Sequence, residues 1–287
     1  MKPIVWLASF PKSGNTWFRT FLTNFQRNGD APADINDLDG APIASARPLI
    51  DEAIGYDTGE LTFDEVDRLR PDAYRHFARE ATETPYMKVH DAYTFLPDGQ
   101  PLFPPDATQC VLYFLRNPLD VCVSFAHHSG LEQFDDTIRR MNDPDSAFCK
   151  ADVAEPNQLR QRLLSWSDHA TSWVDAPNQR VRLMRYEDMK QQPEATFGAA
   201  IRFLGLPDDP ARIKKAIEFS RFDELRKQEE KSGFDEKLAK GKSFFRKGET
   251  GSWREALTAE QVARIVADHA AAMRRFGYLD EAGRPIY

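Results

Sequence analysis

Two hydrophobic patterns alternate along this chain. Residues 4–10, IVWLASF, are an unbroken apolar run rich in β-branched and aromatic side chains. That is the pattern of a strand covered on both faces in a parallel sheet. After the turn PKSG, the segment TWFRTFLTNFQR places apolar residues at Trp17, Phe18, Phe21, Leu22 and Phe25, the spacing of one helix face. Residues 110–116, CVLYFLR, predict a second buried strand, and Asn117 with Pro118 then supplies a helix cap and a first-turn proline. Residues 85–90 predict a short strand and residues 180–186, RVRLMRY, another. Helices over 62–79 and 258–275 each open on a capping box, TFDE and TAEQ. Further helices are predicted at 158–174, with Leu159, Leu163, Trp166, Ala170 and Trp173 on one side, and at 193–204 and 210–219. Residues 31–50 and 130–157 carry no long regular pattern, and residues 226–242, dense in lysine and glutamate, read as a solvated helix or a lid. Alternating strands and helices predict an α/β layered fold with a parallel sheet.

Composition narrows the function. The 287 residues are 41% hydrophobic and 29% charged, an ordinary globular balance. A net charge of −7 argues against a general nucleic-acid binder, which carries a basic excess. Cys110, Cys122 and Cys149 show no metal-binding or disulfide spacing, so buried free thiols are expected. No apolar run reaches the ~18 residues of a membrane span, and the start lacks the pattern of a secretory signal. The expectation is a cytoplasmic protein with no membrane and no nucleic-acid partner.

The loop between the first strand and helix carries the chemistry. A helix N-terminus presents free N–H groups and a positive dipole end to an anion. Gly14 permits a tight curve, Lys12 adds a charge, and Ser13 and Thr16 add hydroxyls. Nucleotide triphosphatase loops place lysine after the last glycine, whereas here Lys12 precedes the glycine. The three strong strands end in Phe10, Arg116 and Tyr186, with no aspartate to hold magnesium. A site without metal, built from lysine, arginine and backbone donors, is expected. Arg116, at a second strand end beside a helix start, marks a second anion site, with Ser124 eight residues on and Asp120 and His127 or His128 near the same helical face; an ion pair of Arg116 with Asp120 is the alternative reading. Two such sites predict a ligand with two separated phosphate groups. A P-loop small-molecule kinase and a non-catalytic nucleotide-binding protein on the same fold remain alternatives.

PKSGNTW (residues 11–17) resembles the 5′-phosphosulfate loop, PKSGTTW, of the sulfotransferases that use 3′-phosphoadenosine 5′-phosphosulfate (PAPS). LRNPLDVCVSF (115–125) resembles their 3′-phosphate motif, MRYEDMKQQP (184–193) their strand with an adenine-contacting tyrosine, and FFRKGETGSW (244–253) their RKGxxGDW motif. The chain is similar to the cytosolic type, as a bacterial member. The resemblance implies a P-loop-like three-layer fold with a central, mainly parallel sheet flanked by helices, in a single sulfotransferase domain over residues 1–287. It implies PAPS as the donor and adenosine 3′,5′-bisphosphate (PAP) as the product. The implied ligand contacts are Lys12, Ser13, Gly14, Asn15, Thr16 and Trp17 in the loop, and Arg116, Ser124, Arg246, Lys247 and Gly248 at the 3′-phosphate. Tyr186, Ser220 and Phe222 are implied at the nucleoside.

Lys88-Val89-His90 stands where the family has KTH or KSH. The implied roles are His90 as base, Lys12 at the leaving oxygen, Lys88 at the sulfuryl group, and Ser124 at the 3′-phosphate and restraining Lys12. Ser252 stands where the family has aspartate, and of the family's dimer motif KxxxTVxxxE only Thr258 matches, which leaves the oligomeric state open. The acceptor is expected to be a small molecule with a hydroxyl or amine.

Overall fold

The structure, a computed structural model, describes residues 1–131, 133–149, 157–237, 243–245 and 248–287. In chain order the elements begin β1 (Ile4–Ser9), α1 (Asn15–Arg27), α2 (Arg47–Ile54), α3 (Phe63–Glu80), β2 (Tyr86–Val89), β3 (Thr108–Leu115), α4 (Pro118–Ser129) and α5 (Phe134–Asn142). They continue β4 (Ala147–Phe148), β5 (Gln161–Arg162), α6 (Trp166–Val174), β6 (Val181–Arg185), α7 (Tyr186–Gln191) and α8 (Pro193–Leu204). The last are α9 (Pro210–Phe219), α10 (Phe222–Ser232), α11 (Trp253–Ala256) and α12 (Ala259–Arg275).

The main sheet has the order β2-β1-β3-β6. β1 pairs in parallel with β2, Val5 against Tyr86 through Ala8 against Val89. The continuous apolar runs occupy the two interior strands: every residue of β1 is buried, as are the last six of β3. The edge strand β2 instead alternates half-buried and buried residues, as one covered face requires. Its outer edge is not left bare, because Ala41 N and Ala44 N donate to Tyr86 O and Lys88 O. β1, β3 and β6 are each followed by a helix, α1, α4 and α7, and the carboxyl ends of parallel strands are where such folds bind ligands. This is the α/β architecture that the alternation predicted.

The chain resolves into two compact units. The first comprises Met1–Phe10, Gly40–Tyr113 and Asp143–Leu183. In it, Trp6 of β1 packs edge-on against Tyr74 of α3 and against Phe103, with centroids 5.1 and 5.0 Å away, and its indole donates to Thr108 Oγ1 at 2.8 Å. α3 opens on the predicted capping box, Thr62 and Glu65 bonding reciprocally. Its Arg70 is fully buried and grips both oxygens of Asp91 at 3.0 Å. Removing one partner of such a pair strands a charge in the interior, at about 3–5 kcal/mol.

The second unit comprises Pro11–Asp39, Phe114–Asn142 and Met184–Tyr287. Its core is aromatic: Phe21 of α1 stacks on Phe197 of α8 at 4.4 Å, and Phe18 meets Phe114 at 5.0 Å. Buried Glu187 accepts from Asn117 N at 3.0 Å and from the Tyr278 hydroxyl at 2.9 Å, tying the starts of α4 and α7 to the chain after α12.

Three sequence expectations change. The helix predicted over 158–174 starts only at Trp166, after the short strand β5. Leu164 takes a left-handed φ of 56°, which no helix interior accommodates, and Ser165 caps α6 by accepting from Asp168 N. Its SWSD sequence is a start signal that the leucine spacing obscured. Residues 130–157 are not wholly irregular, since they hold α5 and β4. Finally, β6 ends at Arg185, and Tyr186 opens α7. Of the lysine- and glutamate-rich stretch, α10 accounts for the part to Ser232, while residues 238–242 lie outside the described residues. Burial pushes the Cys110 and Cys122 thiols up to about 11 and about 12, which keeps both protonated and inert. Among the described residues, no helix is long and apolar enough to cross a membrane.

Candidate functional site

The anion loop belongs to the second unit. β1 delivers the chain into Pro11-Lys12-Ser13-Gly14, and Gly14 is the N-cap of α1 with no side chain capping the helix. Its φ of 101° suits only glycine, and a Cβ there would stand 2.8 Å from Cδ2 of Tyr186. Lys12 has a positive φ of 69° without being glycine, and strain of this kind, worth about 1–3 kcal/mol, gathers at ligand loops. Ser13 is 1% exposed, and its hydroxyl has no hydrogen-bond partner. A buried hydroxyl left so is expensive unless something else occupies it. Uncapped helix N–H groups, a lysine and an orphaned hydroxyl fit a phosphate group. Thr16 Oγ1 donates to Glu236 at 3.5 Å, and Arg19 of α1 forms an ion pair with the same carboxylate. Lys12 Nζ lies 3.7 Å from the centroid of the Phe244 ring, a cation–π contact that orients the amine.

Arg116 stands at the carboxyl end of β3 and is 8% exposed. Its guanidinium lies over the Tyr186 ring at 4.3 Å and donates to Lys12 O at 3.4 Å and to Glu249 O at 2.8 Å. Its Nε is buried without a partner, a second orphaned donor. The ion pair with Asp120 is long, 4.0 Å. Asp120 instead accepts from Gly251 N at 2.7 Å, Ser252 Oγ at 3.0 Å and Trp253 N at 3.2 Å. So Asp120 pins the loop that carries Gly248. Gly248 has φ 62°, and a Cβ there would fall 2.3 Å from the Phe222 ring. Ser124 is half-buried on α4, four residues after Asp120 and so on the same helix face. Arg246 and Lys247 lie outside the described residues.

Tyr186 is 5% exposed and meets Trp17 edge-on at 5.6 Å. Burial raises its phenol pKa. Trp17 and Phe222 lean on one apolar cluster of Ile35, Leu225, Phe234 and Phe245, and both stay only partly buried. Ser220 is fully buried, with its hydroxyl donating to Ala216 O at 2.8 Å at the end of α9. Lys190 lies 5.8 Å from the Trp17 ring, and burial weakens its charged form. Asn15 is buried in the first turn of α1.

Lys88 and His90 belong to the first unit. With Tyr86 they form the half-buried face of the edge-strand pattern, opposite buried Met87 and Val89. His90 Nδ1 lies 2.9 Å from the Ser9 carbonyl and 3.4 Å from its hydroxyl. A carbonyl only accepts, so Nδ1 carries a proton, and in the neutral form of the ring the lone pair is then on Nε2. This is the tautomer of a base working through Nε2. Asp91 beside it is buried, and burial pushes its carboxyl up against the opposing pull of Arg70. Among the described residues, no group of three or more His, Cys, Asp or Glu side chains is placed to hold a metal.

The structure thus gathers Lys12, Ser13, Gly14, Asn15, Thr16, Trp17, Arg116, Tyr186, Phe222 and Gly248 within one unit, and Lys88 with His90 in the other. Lys190, Phe244 and Glu236 join the first group without having been singled out from the sequence, and Asp120 joins it as the anchor of a distant loop. Lys190 and Phe244 sit inside motifs already quoted, so position within a motif was their available signal.

The family model of the sulfotransferase domain matches residues 2–277. Cytosolic sulfotransferase 1 of Arabidopsis thaliana is 29% identical over 278 residues, covering 90% of this chain and 75% of the relative. Sulfotransferase 2A2 of Rattus norvegicus is 27% identical, covering 89% and 79%. Among solved structures, mouse sulfotransferase SULT7A1 complexed with PAP has a TM-score of 0.61 at 19% identity, covering 99% of this chain and 88% of its own. Retinol dehydratase in complex with androsterone and PAP has a TM-score of 0.63 at 18% identity, covering 96% and 82%.

Proposed function

This chain belongs to the sulfotransferase domain family, and from that premise we propose that it moves a sulfuryl group from PAPS to a hydroxyl or amine of a small-molecule acceptor, as one sulfotransferase domain over residues 1–287 working in the cytoplasm. The observation that carries the donor is the anion loop: Ser13's buried, partnerless hydroxyl between the strained Lys12 and the tightly turned Gly14, at an uncapped helix start. Mouse SULT7A1 is complexed with PAP and retinol dehydratase with androsterone and PAP, which supports the same ligand class here.

PAPS, when bound, supplies an activated sulfuryl group whose departure leaves PAP. The chain supplies the rest. Ser13 and the first N–H groups of α1 hold the 5′-phosphate, and Lys12 neutralises the leaving oxygen. Arg116, Ser124, Gly248, Arg246 and Lys247 hold the 3′-phosphate. Trp17, Tyr186, Ser220 and Phe222 take the nucleoside. Lys88 steadies the sulfuryl oxygens. His90 Nε2 accepts the acceptor's proton, while Nδ1–H stays on Ser9 O. Preorganised donors of this sort stabilise developing charge without rearranging during reaction, and a positioned base contributes about 10²–10⁴-fold in rate.

Thermal-shift measurements with PAP and with ATP–magnesium separate this reading from a kinase. PAP is expected to raise the melting temperature and ATP–magnesium to leave it unchanged; the reverse overturns the proposal. Incubating a metabolite extract with enzyme and PAPS then identifies the acceptor by a mass gain of one SO3.

A further inference from the structure

His90 lies one residue beyond β2. The backbone that follows it has left the strand, and buried polar groups there need other partners. One helix provides them. His169 of α6 places Nε2 3.0 Å from His90 O. Trp173, one turn on, donates its indole N–H to Asp91 O at 2.8 Å. Ser172 Oγ accepts from Tyr93 N at 3.0 Å and donates to His169 O at 2.9 Å. Consecutive peptide groups after the histidine are therefore read by side chains of α6.

His169 is the member whose chemistry is most constrained. It is fully buried. The His90 carbonyl accepts only, so His169 carries its proton on Nε2, and its Nδ1 lone pair accepts from the Tyr113 hydroxyl at 2.9 Å. The His90 carbonyl thereby sets the His169 tautomer, the Tyr113 hydroxyl completes it by donating to Nδ1, and the Nε2–H bond fixes the peptide plane between His90 and Asp91. The opposite tautomer would set a lone pair against a carbonyl. Phe10 packs edge-on against the His169 ring at 5.4 Å and limits its tilt.

We infer that His169 is a positioning residue for His90: through its Nε2–H it holds the His90 backbone so that Nδ1 stays on Ser9 O and Nε2 faces the acceptor. The inference rests on the reading of His90 as base. Misplacement of a catalytic group by about 1 Å costs on the order of 10²-fold, which sets the scale of the test.

The experiment compares His169→Leu, His169→Gln and Tyr113→Phe in the full chain. PAP affinity is measured by calorimetry, and PAPS turnover with 2-naphthol, or with water alone, as acceptor. Nitrogen-15 spectra of the imidazoles report tautomers. In the native protein His169 is expected protonated at Nε2 and His90 at Nδ1. His169→Leu is expected to lower turnover about 10–100-fold, keep PAP affinity within about twofold, and mix the His90 tautomers. Glutamine, which offers an N–H to His90 O and an oxygen to Tyr113, is expected to recover turnover to within about fivefold of native. Tyr113→Phe, a milder change should the leucine variant fail to fold, is expected to lose about 3–10-fold. In a His90→Ala background, removing His169 is expected to lower the residual rate no further.

Native turnover in His169→Leu, parallel loss of PAP binding, an equal loss in the His90→Ala background, or a His169 proton on Nδ1 would each overturn the inference. If His90→Ala itself keeps the native rate, the base assignment falls, and this inference falls with it. A dead His90→Ala beside a fully active His169→Leu sinks the inference alone.

Discussion

Acidification offers a quantitative check on His169. Burial depresses its pKa from the ordinary 6.5 to about 4, because the interior disfavours the imidazolium. The unfolded chain therefore takes up a proton near pH 6.5 that the folded chain refuses until about pH 4. Stability from this group is intact above the unfolded pKa and drains away as pH falls through that window. The full difference corresponds to about 3 kcal/mol, of which about 2 kcal/mol is gone by pH 5. His169→Gln does not titrate, so it loses only what the other groups lose. Each protein is melted at pH 7.5 and at pH 5, and each is compared with itself. At about 2–4 °C per kcal/mol for chains of roughly this size, the native melting temperature should drop about 4–8 °C further than that of the variant. Equal drops would show that His169 titrates normally in the folded protein, and the neutral, Nε2-protonated ring would have to be abandoned.

Other expectations follow from single contacts. His90→Ala should cut turnover about 10²–10⁴-fold with PAP affinity nearly unchanged; a variant retaining most of its rate excludes His90 as base. Gly14→Ala forces a side chain into left-handed backbone and against the Tyr186 ring, so calorimetry should show PAP binding weakened at least about fivefold, the lower end of about 1–3 kcal/mol of strain. Asp120→Ala strands the Gly251 and Trp253 N–H groups and frees the loop after Gly248; PAP affinity should fall about 10–100-fold, and unchanged affinity would mean the loop holds itself. EDTA should leave turnover unaltered, since lysine, arginine and backbone donors suffice for the two phosphates; a rate restored only by magnesium would contradict this.

Where the sequence was legible, a local pattern had a single structural meaning. The IVWLAS run could only be an interior strand, and the TFDE and TAEQ boxes opened α3 and α12 at the residues expected. The loop at Lys12 was readable because glycine, lysine and a helix start have few uses together. Illegible were contacts made across sequence distance. Nothing in SWSDHATSW announces that His169 reaches back 79 residues to the His90 carbonyl. Nothing near Arg70 says that its charge is met by Asp91. Asp120 looked like a partner for Arg116 four residues before it, the local choice, yet its oxygens serve a loop more than 130 residues on. Helical spacing of leucines misread 158–164, because an extended segment beside a buried face repeats apolar residues just as readily.

Arg116 bonds the carbonyls of both Lys12 and Glu249. With the donor held as proposed above, a shared brace of this kind would make the grips on its opposite ends energetically interdependent: tightening either would stiffen the common guanidinium and lighten the entropy demanded of the other. Fragments bearing only a 3′- or only a 5′-phosphate should therefore bind with free energies whose sum falls short of the intact nucleotide's. Replacing Arg116 would erase that surplus as well as a contact, so the penalty measured for its loss belongs to neither end alone.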